Sequence, residues 1–444
     1  MKRQGMREFN SLFIVLAMLA LASGAWAQST YKSLYRFTGG ADGNAPWAGL
    51  TVDSLGNLYG ATLAGGNLSS NCAYRGCGVI FKLAPKGDGT WSQSVLYTFC
   101  SATDCADGSN PAGTLVFDRA GNLYGTTEAG GNASSCIYRD EQGCGVVFKL
   151  APNGNGTWTE SVLYNFCSIT GCPDGLDGIG SLVFDKAGNL YGTSGGGLSK
   201  LCVDGCGVVF KLSPNADGSW AESVLYSFKG GADGWEPQSG LILDDAGNLY
   251  GMTLSGGYSR NCGSGCGIVF EISPSGKEKV LHRFNGNDGG YPSASLTFDQ
   301  SGNLYGATEG GSNFSQCGGI GCGVAFELIA NAGGSWKEKI LHRFNGSAGG
   351  GVPTGKLIFD TVGNLYGTTT QGGNFTYCNI GCGVVFKLAP NAEGGWKETV
   401  LRRFADHPGT HPVAGLTSDA AGNLFGTTIG NYSTTFGSVF EITP

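Results

Sequence analysis

The stretch Asp185-Lys186-Ala187-Gly188-Asn189-Leu190-Tyr191-Gly192 is one of seven copies of a single phrase, Asp-x-x-Gly-Asn-Leu-(Tyr/Phe)-Gly. Successive copies are 55 to 67 residues apart, and they begin at Asp53, Asp118, Asp185, Asp244, Asp299, Asp360 and Asp419. A phrase that recurs at such a period is typical of repeat architectures. The period is too long for one coil of a β-solenoid, and it suits a propeller blade of four strands.

Each repeat predicts four short strands. In the third repeat they are residues 181–185, 189–193, 207–212 and 223–228, which are rich in β-branched and aromatic residues and bounded by Gly, Asn, Asp and Pro. The Asp-x-x-Gly-Asn turn joins the first strand to the second, because Gly and Asn tolerate the positive φ that tight hairpins need. We interpret the Asp of this turn as a structural residue.

The two ends of the chain complement each other. Residues 31–37 have the pattern of a fourth strand with no blade before it, and residues 437–442 have the pattern of a third strand with no fourth strand after it. Pairing them would close the ring and remove two open sheet edges. The sequence therefore predicts an all-β, seven-bladed β-propeller as a single domain over residues 28–444. Its last blade is built from residues 413–442 and 31–37.

The order of phrases within each repeat resembles a known family. Gly-Asn-Leu-Tyr-Gly-Thr-Thr, Gly-Gly, Gly-Val-Val-Phe-Lys-Leu and Val-Leu-Tyr-x-Phe follow one another as they do in the Gloeobacter/Verrucomicrobia (GloVer) tandem-repeat proteins. The resemblance covers essentially the whole chain after residue 27. It implies an exported bacterial protein, of a kind that often carries a C-terminal surface-sorting signal. It implies no established activity and no catalytic residue.

The N-terminus predicts export. Lys2, Arg3 and Arg7 precede an apolar run over residues 12–22, and Ala25-Trp26-Ala27 supplies a small-x-small cleavage pattern, so residues 1–27 are interpreted as a signal peptide. The alternative, an anchor helix, requires a longer apolar run. A charged content of 14% and a net charge of −7 argue against a nucleic-acid partner. We expect a secreted or periplasmic monomer that has no membrane span after cleavage.

The 16 cysteines fall into eight close pairs. The pairs are Cys72/Cys77, Cys100/Cys105, Cys136/Cys144, Cys167/Cys172, Cys202/Cys206, Cys262/Cys266, Cys317/Cys322 and Cys378/Cys382. An even count, local pairing and an export signal favour disulfides formed in an oxidising compartment. Metal binding is the alternative, but the spacings differ from the two-residue knuckle of zinc ribbons and few His accompany the cysteines.

One face of the predicted propeller carries the candidate binding residues. The loops between strands two and three share this face with the links that leave strand four, and several links combine Asp-Gly with an aromatic residue. Aromatic rings beside acidic groups suit sugars or peptides. The candidates are Asp42, Trp47, Asp233, Trp235, Asp288 and Tyr291, and the loops add Tyr74, Tyr138, Tyr258, Phe314, Tyr377 and Tyr432. The alternative is that Asp-Gly is ordinary turn chemistry.

Five tryptophans occupy one repeated position just before the fourth strand, which places them at the opposite face. They are Trp91, Trp158, Trp220, Trp336 and Trp396. Recurrence in phase predicts packing between blades. A multivalent ligand surface is the alternative interpretation.

No motif indicates a specific chemistry, since Gly-x-Ser-x-Gly, phosphate-loop and zinc-protease patterns are all absent from the sequence. The repeat is broken at Glu236 and at Asp406, His407 and His411, whose convergence at the channel mouth would favour an enzyme or a metal site. We expect no cofactor and no metal. The sequence predicts an exported non-catalytic protein that binds an extracellular glycan or surface protein. The alternative is an extracellular lyase or hydrolase acting on a sugar or lactone.

Overall fold

The computed structural model describes residues 29–68, 72, 76–132, 137–138, 141–197, 202, 205–312, 314–315, 317–405, 409–430 and 435–444. The predicted signal peptide, residues 1–27, lies outside the described residues. Within these ranges no helix has the length and apolar character needed to cross a membrane.

Seven antiparallel blades of four strands form a ring, as the sequence predicts. From the innermost strand outward, the blades are Thr51–Val52, Leu58–Thr62, Val79–Pro85 and Trp91–Thr98; Val116–Phe117, Leu123–Ala129, Val146–Pro152 and Trp158–Asn165; Val183–Phe184, Leu190–Ser194, Val208–Pro214 and Trp220–Ser227; Ile242–Leu243, Leu249–Thr253, Ile268–Ile272 and Glu278–Arg283; Thr297–Phe298, Leu304–Thr308, Val324–Ala330 and Trp336–Arg343; Ile358–Phe359, Leu365–Thr369, Val384–Pro390 and Trp396–Arg403; and Thr417–Ser418, Leu424–Thr428, Ser438–Thr443 and Thr30–Arg36.

The remaining elements are short and lie in the connections. Ser109–Pro111 adds a fifth strand to the second blade, and Ile137–Tyr138 pairs with Glu141–Gln142 as a small hairpin. Single 3-10 turns occur at Thr103–Cys105, Gly231–Asp233 and Cys317–Gly319.

The N-terminal strand closes the ring. Thr30–Arg36 pairs antiparallel with Ser438–Thr443, with Tyr31 opposite Ile442. The ring of Tyr31 stacks on Phe440 at a centroid distance of 6.0 Å, and Leu34 is buried. The predicted closure of the last blade by both ends of the chain is confirmed.

Phenylalanine pairs hold neighbouring blades together. The Phe that follows each fourth strand meets the Phe of the third strand in the next blade, with ring centroids 5.0 to 5.3 Å apart. In the repeated phrase, the Gly after Leu-Tyr makes room for this ring, because a Cβ on Gly125 would lie 2.6 Å from Phe148. Each pair contributes about 0.5–1.5 kcal/mol beyond its buried area.

The Asp of the repeated phrase organises its hairpin. Asp53 Oδ1 accepts hydrogen bonds of 2.9 Å from the backbone N–H groups of Leu55 and Asn57, and Oδ2 accepts from the Asn57 amide and the Tyr59 hydroxyl. The other six copies repeat the backbone and Asn contacts. The structural interpretation of these seven aspartates is confirmed.

The five tryptophans pack between blades, which confirms the packing interpretation. Trp158 meets Tyr59 of the preceding blade edge to face at 6.4 Å. The other four contact an aromatic ring of the preceding blade at 6.1 to 6.5 Å.

Candidate ligand-binding channel

Disulfides staple the loops on one face. Between cysteines that the structure describes there are seven bridges, namely Cys72–Cys77, Cys100–Cys105, Cys167–Cys172, Cys202–Cys206, Cys262–Cys266, Cys317–Cys322 and Cys378–Cys382. All seven were predicted. The eighth predicted pair involves Cys136, which lies outside the described residues. Such a set of bridges is typical of proteins that reside in an oxidising extracellular environment.

At one position of every link, directly before a Pro or, in the link to the third blade, a Gly, a non-glycine residue lies in the left-handed region, with φ between 53° and 59°. We call these seven residues the left-handed ring: Ala45, Asn110, Asp177, Glu236, Tyr291, Val352 and His411. The left-handed conformation costs a non-glycine residue free energy and persists where its surroundings hold it. Here a hydrogen bond of 2.8 to 3.1 Å holds each of these residues. It runs from the residue's backbone N–H to a carbonyl in the loop between strands two and three of the preceding blade.

That carbonyl belongs to the second cysteine of the loop in six blades. The accepting carbonyls are those of Cys77, Cys144, Cys206, Cys266, Cys322 and Cys382, with Phe436 in the last blade. The stapled loops therefore set the position of the left-handed ring, and the ring in turn directs the chain toward the centre of the propeller.

The links then enter a central channel with a volume of about 780 Å³. Residues later in a link lie deeper, since the chain runs from the loop-bearing face into the innermost strand. The outer layer of the lining includes Trp47, Gln238, Ser293 and Thr354; the middle layer includes Thr114, Ser181, Ser295 and Lys356; and the deepest includes Val116, Val183, Ile242 and Ile358. The outer layer also contains Ala112, Ile179 and Val413, and Thr417 lines the deep end, so polar and apolar groups are mixed along the channel.

Of the residues that the structure describes, two ionisable ones line this channel, Lys356 and Glu309. Burial lowers the pKa of the Lys356 ammonium and raises the pKa of the Glu309 carboxyl. Sequence reasoning missed both residues. The sequence carried a signal for Lys356, which stands where the other repeats have Gly, Thr or Ser. Glu309 gave no such signal, because Glu128 occupies the same position in the second repeat.

A smaller cavity of about 180 Å³ adjoins the channel and shares Ile179 and Gln238 with its lining. Asp177, Trp235 and Glu236 line this side cavity.

The side cavity lies where the third blade lacks one residue, directly after Ser194, that the neighbouring blades have. The Ser194 hydroxyl bonds the carbonyl of the very next residue, Gly195, whereas the Thr253 hydroxyl of the fourth blade bonds Ser255, two residues on. The missing residue is the one that aligns with Leu63, Leu254 and Glu309. The deletion therefore leaves space that a side chain occupies in other blades.

The three candidate aspartates hold their own links. Asp42 Oδ2 accepts hydrogen bonds of 2.9 Å from the Tyr35 hydroxyl and from the Thr38 backbone. Asp233 makes the same two contacts with Tyr226 and Lys229.

Asp288 accepts from the Asn285 backbone at 2.8 Å, and its Oδ2 lies 3.3 Å from His282 Nε2. These contacts give each aspartate a role within its link, and their role in ligand binding stays a prediction.

The three candidate aromatic residues lie in three different surroundings. Trp47 lines the channel and is 39% exposed. Trp235 lines the side cavity. Tyr291 belongs to the left-handed ring and packs on the core shared by the fourth and fifth blades.

The stapled loops carry further aromatic side chains. Tyr258 and Tyr377 are exposed, and Phe314 packs inward. Tyr74 and Tyr432 are outside the described residues, and for Tyr138 only the backbone is described.

Two of the four residues that break the repeat, and that were candidates for an enzyme or metal site, are among the described residues. Asp406 and His407 lie outside the described residues, while Glu236 and His411 both belong to the left-handed ring, in links that enter blades four and seven. Burial lowers the pKa of His411. In the described ranges, the groups of potential metal ligands that converge are cysteines, and these cysteines are disulfide-bonded.

Comparison with known proteins identifies the repeat. A profile of the Gloeobacter/Verrucomicrobia repeat matches three overlapping segments, residues 22–172, 136–321 and 261–444. No curated protein sequence gives a significant match.

Among solved structures, a luciferin-regenerating enzyme is similar at 12% identity and a TM-score of 0.43, over 94% of this chain and 95% of that one. A candidate gluconolactonase is similar at 16% identity and a TM-score of 0.35, over 67% and 83%. Neither similarity assigns this chain an activity.

Proposed function

Since the chain belongs to the Gloeobacter/Verrucomicrobia repeat family, we propose that it is an exported, non-catalytic protein that binds an extracellular glycan. The glycan enters the channel from the loop-bearing face. The observation that carries this proposal is Trp47, an exposed indole at the loop-bearing end of a channel large enough for a ligand. Ligand sites commonly occupy 300–1,000 Å³.

The chemistry of the outer layers suits a sugar. A pyranose has an apolar face and a polar rim, so an indole can stack on the face while hydroxyl and amide side chains bond the rim. Gln238, Ser293 and Thr354 supply such groups in the same layer as Trp47. Trp235 extends the aromatic surface into the side cavity, which adjoins the channel.

The framework around the channel is rigid. Disulfides close the loops, and the carbonyls of those loops hold the left-handed ring. A site that is ordered before the ligand arrives loses less conformational entropy on binding, so affinity is gained without additional contacts. The candidate aspartates contribute here by holding the links.

The test is a glycan and peptide array probed with residues 28–444, with and without divalent cations. We expect glycan binding, and Trp47→Ala should weaken the best hit by about 30-fold, because an aromatic anchor typically contributes about 2 kcal/mol or more. Trp396→Phe, at the opposite face, is the matched control and should bind normally. Binding of peptides alone would instead favour a surface-protein partner, and unchanged affinity in Trp47→Ala would contradict the channel as the site.

One observation favours an enzyme as a second candidate. Asp177 and Glu236, from links of adjacent blades, line one cavity, and paired carboxyl groups are the groups that cleave glycosidic bonds. In this case the hit glycan should be shortened on incubation, as measured by new reducing ends, and Glu236→Gln should abolish the cleavage. A glycan that stays intact after prolonged incubation would exclude this cleavage and leave binding as the function.

A further inference from the structure

We propose that the ligand of the channel presents a carboxylate, as a uronic acid does, and that the Lys356 ammonium binds it. This inference rests on the proposed function and names the class of glycan. It is carried by the position of Lys356 in the channel wall and by the contacts that its ammonium group lacks.

Lys356 occupies a position that forms hydrogen bonds between neighbouring blades elsewhere in the ring. In the first three blades the residues of the middle layer connect neighbours, with the Gly49 N–H bonded to Thr114 Oγ1 at 3.1 Å and the Thr114 N–H bonded to Ser181 Oγ at 3.0 Å. A lysine cannot accept such a bond. Gly415 of the next blade leaves room for it, since a Cβ there would lie 3.0 Å from the Cβ of Lys356.

The ammonium group has no anionic partner within the described part of the chain. Lys356 forms no ion pair and no hydrogen bond there, although the channel wall buries most of its side chain. An entering carboxylate would form a charge-assisted hydrogen bond with this ammonium group, which lines the channel without a protein partner.

Glu309 does not supply this charge. Burial is the cause that raises its pKa, which favours the neutral form, and no ion pair joins it to Lys356. A neutral carboxyl can donate a hydrogen bond to a ligand oxygen. Lys356 is therefore the one basic side chain among the described residues that line the channel.

The layers above Lys356 select a sugar among carboxylates. A ligand that reaches Lys356 from the loop-bearing face passes Trp47, Gln238 and Thr354. A uronic acid matches this sequence of groups, because its hydroxyls bond the amide and hydroxyl side chains and its ring stacks on the indole. An aliphatic carboxylate would leave those polar groups without partners when it excluded water.

The test compares oligosaccharides that differ only in charge. Trimers of galacturonate, glucuronate and mannuronate, and their methyl esters, are titrated calorimetrically into residues 28–444. We expect at least one acid to bind and its ester to bind at least about tenfold more weakly, because a hydrogen bond to a charged group contributes about 1.5–3 kcal/mol. Lys356→Met should abolish this preference for the acid, and Lys356→Arg should retain part of it. Lys337→Met, an exposed lysine, is the control and should leave affinity unchanged.

Proton uptake gives a second readout that a structural role for Lys356 would not produce. Because burial lowers the pKa of Lys356 and a bound carboxylate would raise it, binding at alkaline pH should take up protons, as measured in buffers of different ionisation enthalpy. Lys356→Met should take up none.

Three results would overturn the inference. They are equal affinity for acid and ester, failure of every uronate to bind at millimolar concentration, and binding of octanoate in place of the uronates. A neutral glycan that binds through Trp47 with no effect of Lys356→Met would overturn the inference alone and would leave the proposed function standing.

Discussion

The backbone N–H of Glu236 donates a 3.1 Å hydrogen bond to the carbonyl of Cys206. The donor has a left-handed backbone and lines the side cavity, while the acceptor closes a stapled loop of the preceding blade. The same contact recurs around the propeller, so the disulfides act at a distance on the channel. They hold loops, the loops hold the left-handed ring, and the ring fixes where each link enters the centre.

Removal of one staple should loosen one sector of the channel. The double variant Cys202→Ser/Cys206→Ser should lose about 2 kcal/mol of stability, which the chain-entropy model gives for a loop of this length. Hydrogen exchange should increase at Glu236 and its link, while the sheets stay protected. The matched control is Cys378→Ser/Cys382→Ser, which should increase exchange at His411 instead. Equal effects of both variants on both links would contradict the local coupling.

Tryptophans on the two faces should differ in their effects on stability. Trp158→Ala should lower the free energy of unfolding by about 3 kcal/mol, because it removes a ring packed between two blades. Trp47→Ala should leave it within about 0.5 kcal/mol, since the indole is exposed to the channel. Urea denaturation measures both.

Lys277 provides the control for this comparison, since it is exposed and its blade has Gly276 where five other blades have the tryptophan. Lys277→Ala should be neutral. A Trp158→Ala protein as stable as the parent would show that the packing interpretation of its face is wrong.

Stability should fall as the pH rises toward neutrality. Burial, reinforced by Asp107, raises the pKa of Glu160 to about 7, and burial with Asp174 does the same for Glu222. A carboxyl whose pKa is higher in the folded protein binds its proton more tightly there, so its contribution to stability is full below pH 4.5 and is lost as pH rises to about 7.

Thermal midpoints measured across this range should decrease with rising pH. The double variant Glu160→Gln/Glu222→Gln should flatten the decrease, whereas Glu393→Gln, an exposed residue, should not. An unchanged slope in the double variant would mean that these carboxyl groups do not titrate between the two states.

The N-terminal strand should protect the last blade from aggregation. Deletion of residues 28–38 should expose the edge of Ser438–Thr443, which pairs with Thr30–Arg36 in the intact ring. We expect aggregation in light scattering and a lower thermal midpoint. Deletion of residues 28 and 29 alone, which precede the strand, is the control and should remain monodisperse. An equally soluble and stable larger deletion would contradict closure by this strand.

Local chemistry explains why the fold could be predicted. The hairpin Asp, the Gly that admits a Phe ring and the cysteine pairs each act within one repeat, and seven copies of the phrase count the blades. The channel residues could not be found in this way. Lys356 and Glu309 lie in different repeats, and they share a lumen only because the ring closes.

The surroundings of the candidate aromatic residues could not be predicted from the repeat either. Trp47, Trp235 and Tyr291 each follow an Asp-Gly closely, and the sequence treats them alike. They occupy three different positions of the link. Trp235 precedes the left-handed residue, Tyr291 is that residue, and Trp47 follows it by two. Because the link turns sharply at this residue, one side chain faces the channel, one faces the side cavity and one packs on the core.

A crystal structure of residues 28–444 with the best array ligand would show whether the ligand occupies the channel. We expect a sugar ring stacked on Trp47, with its hydroxyls bonded to Gln238, Ser293 and Thr354 and its carboxylate bonded to Lys356. Ligand density on the face that carries Trp158 and Trp396, with the channel holding solvent alone, would contradict it.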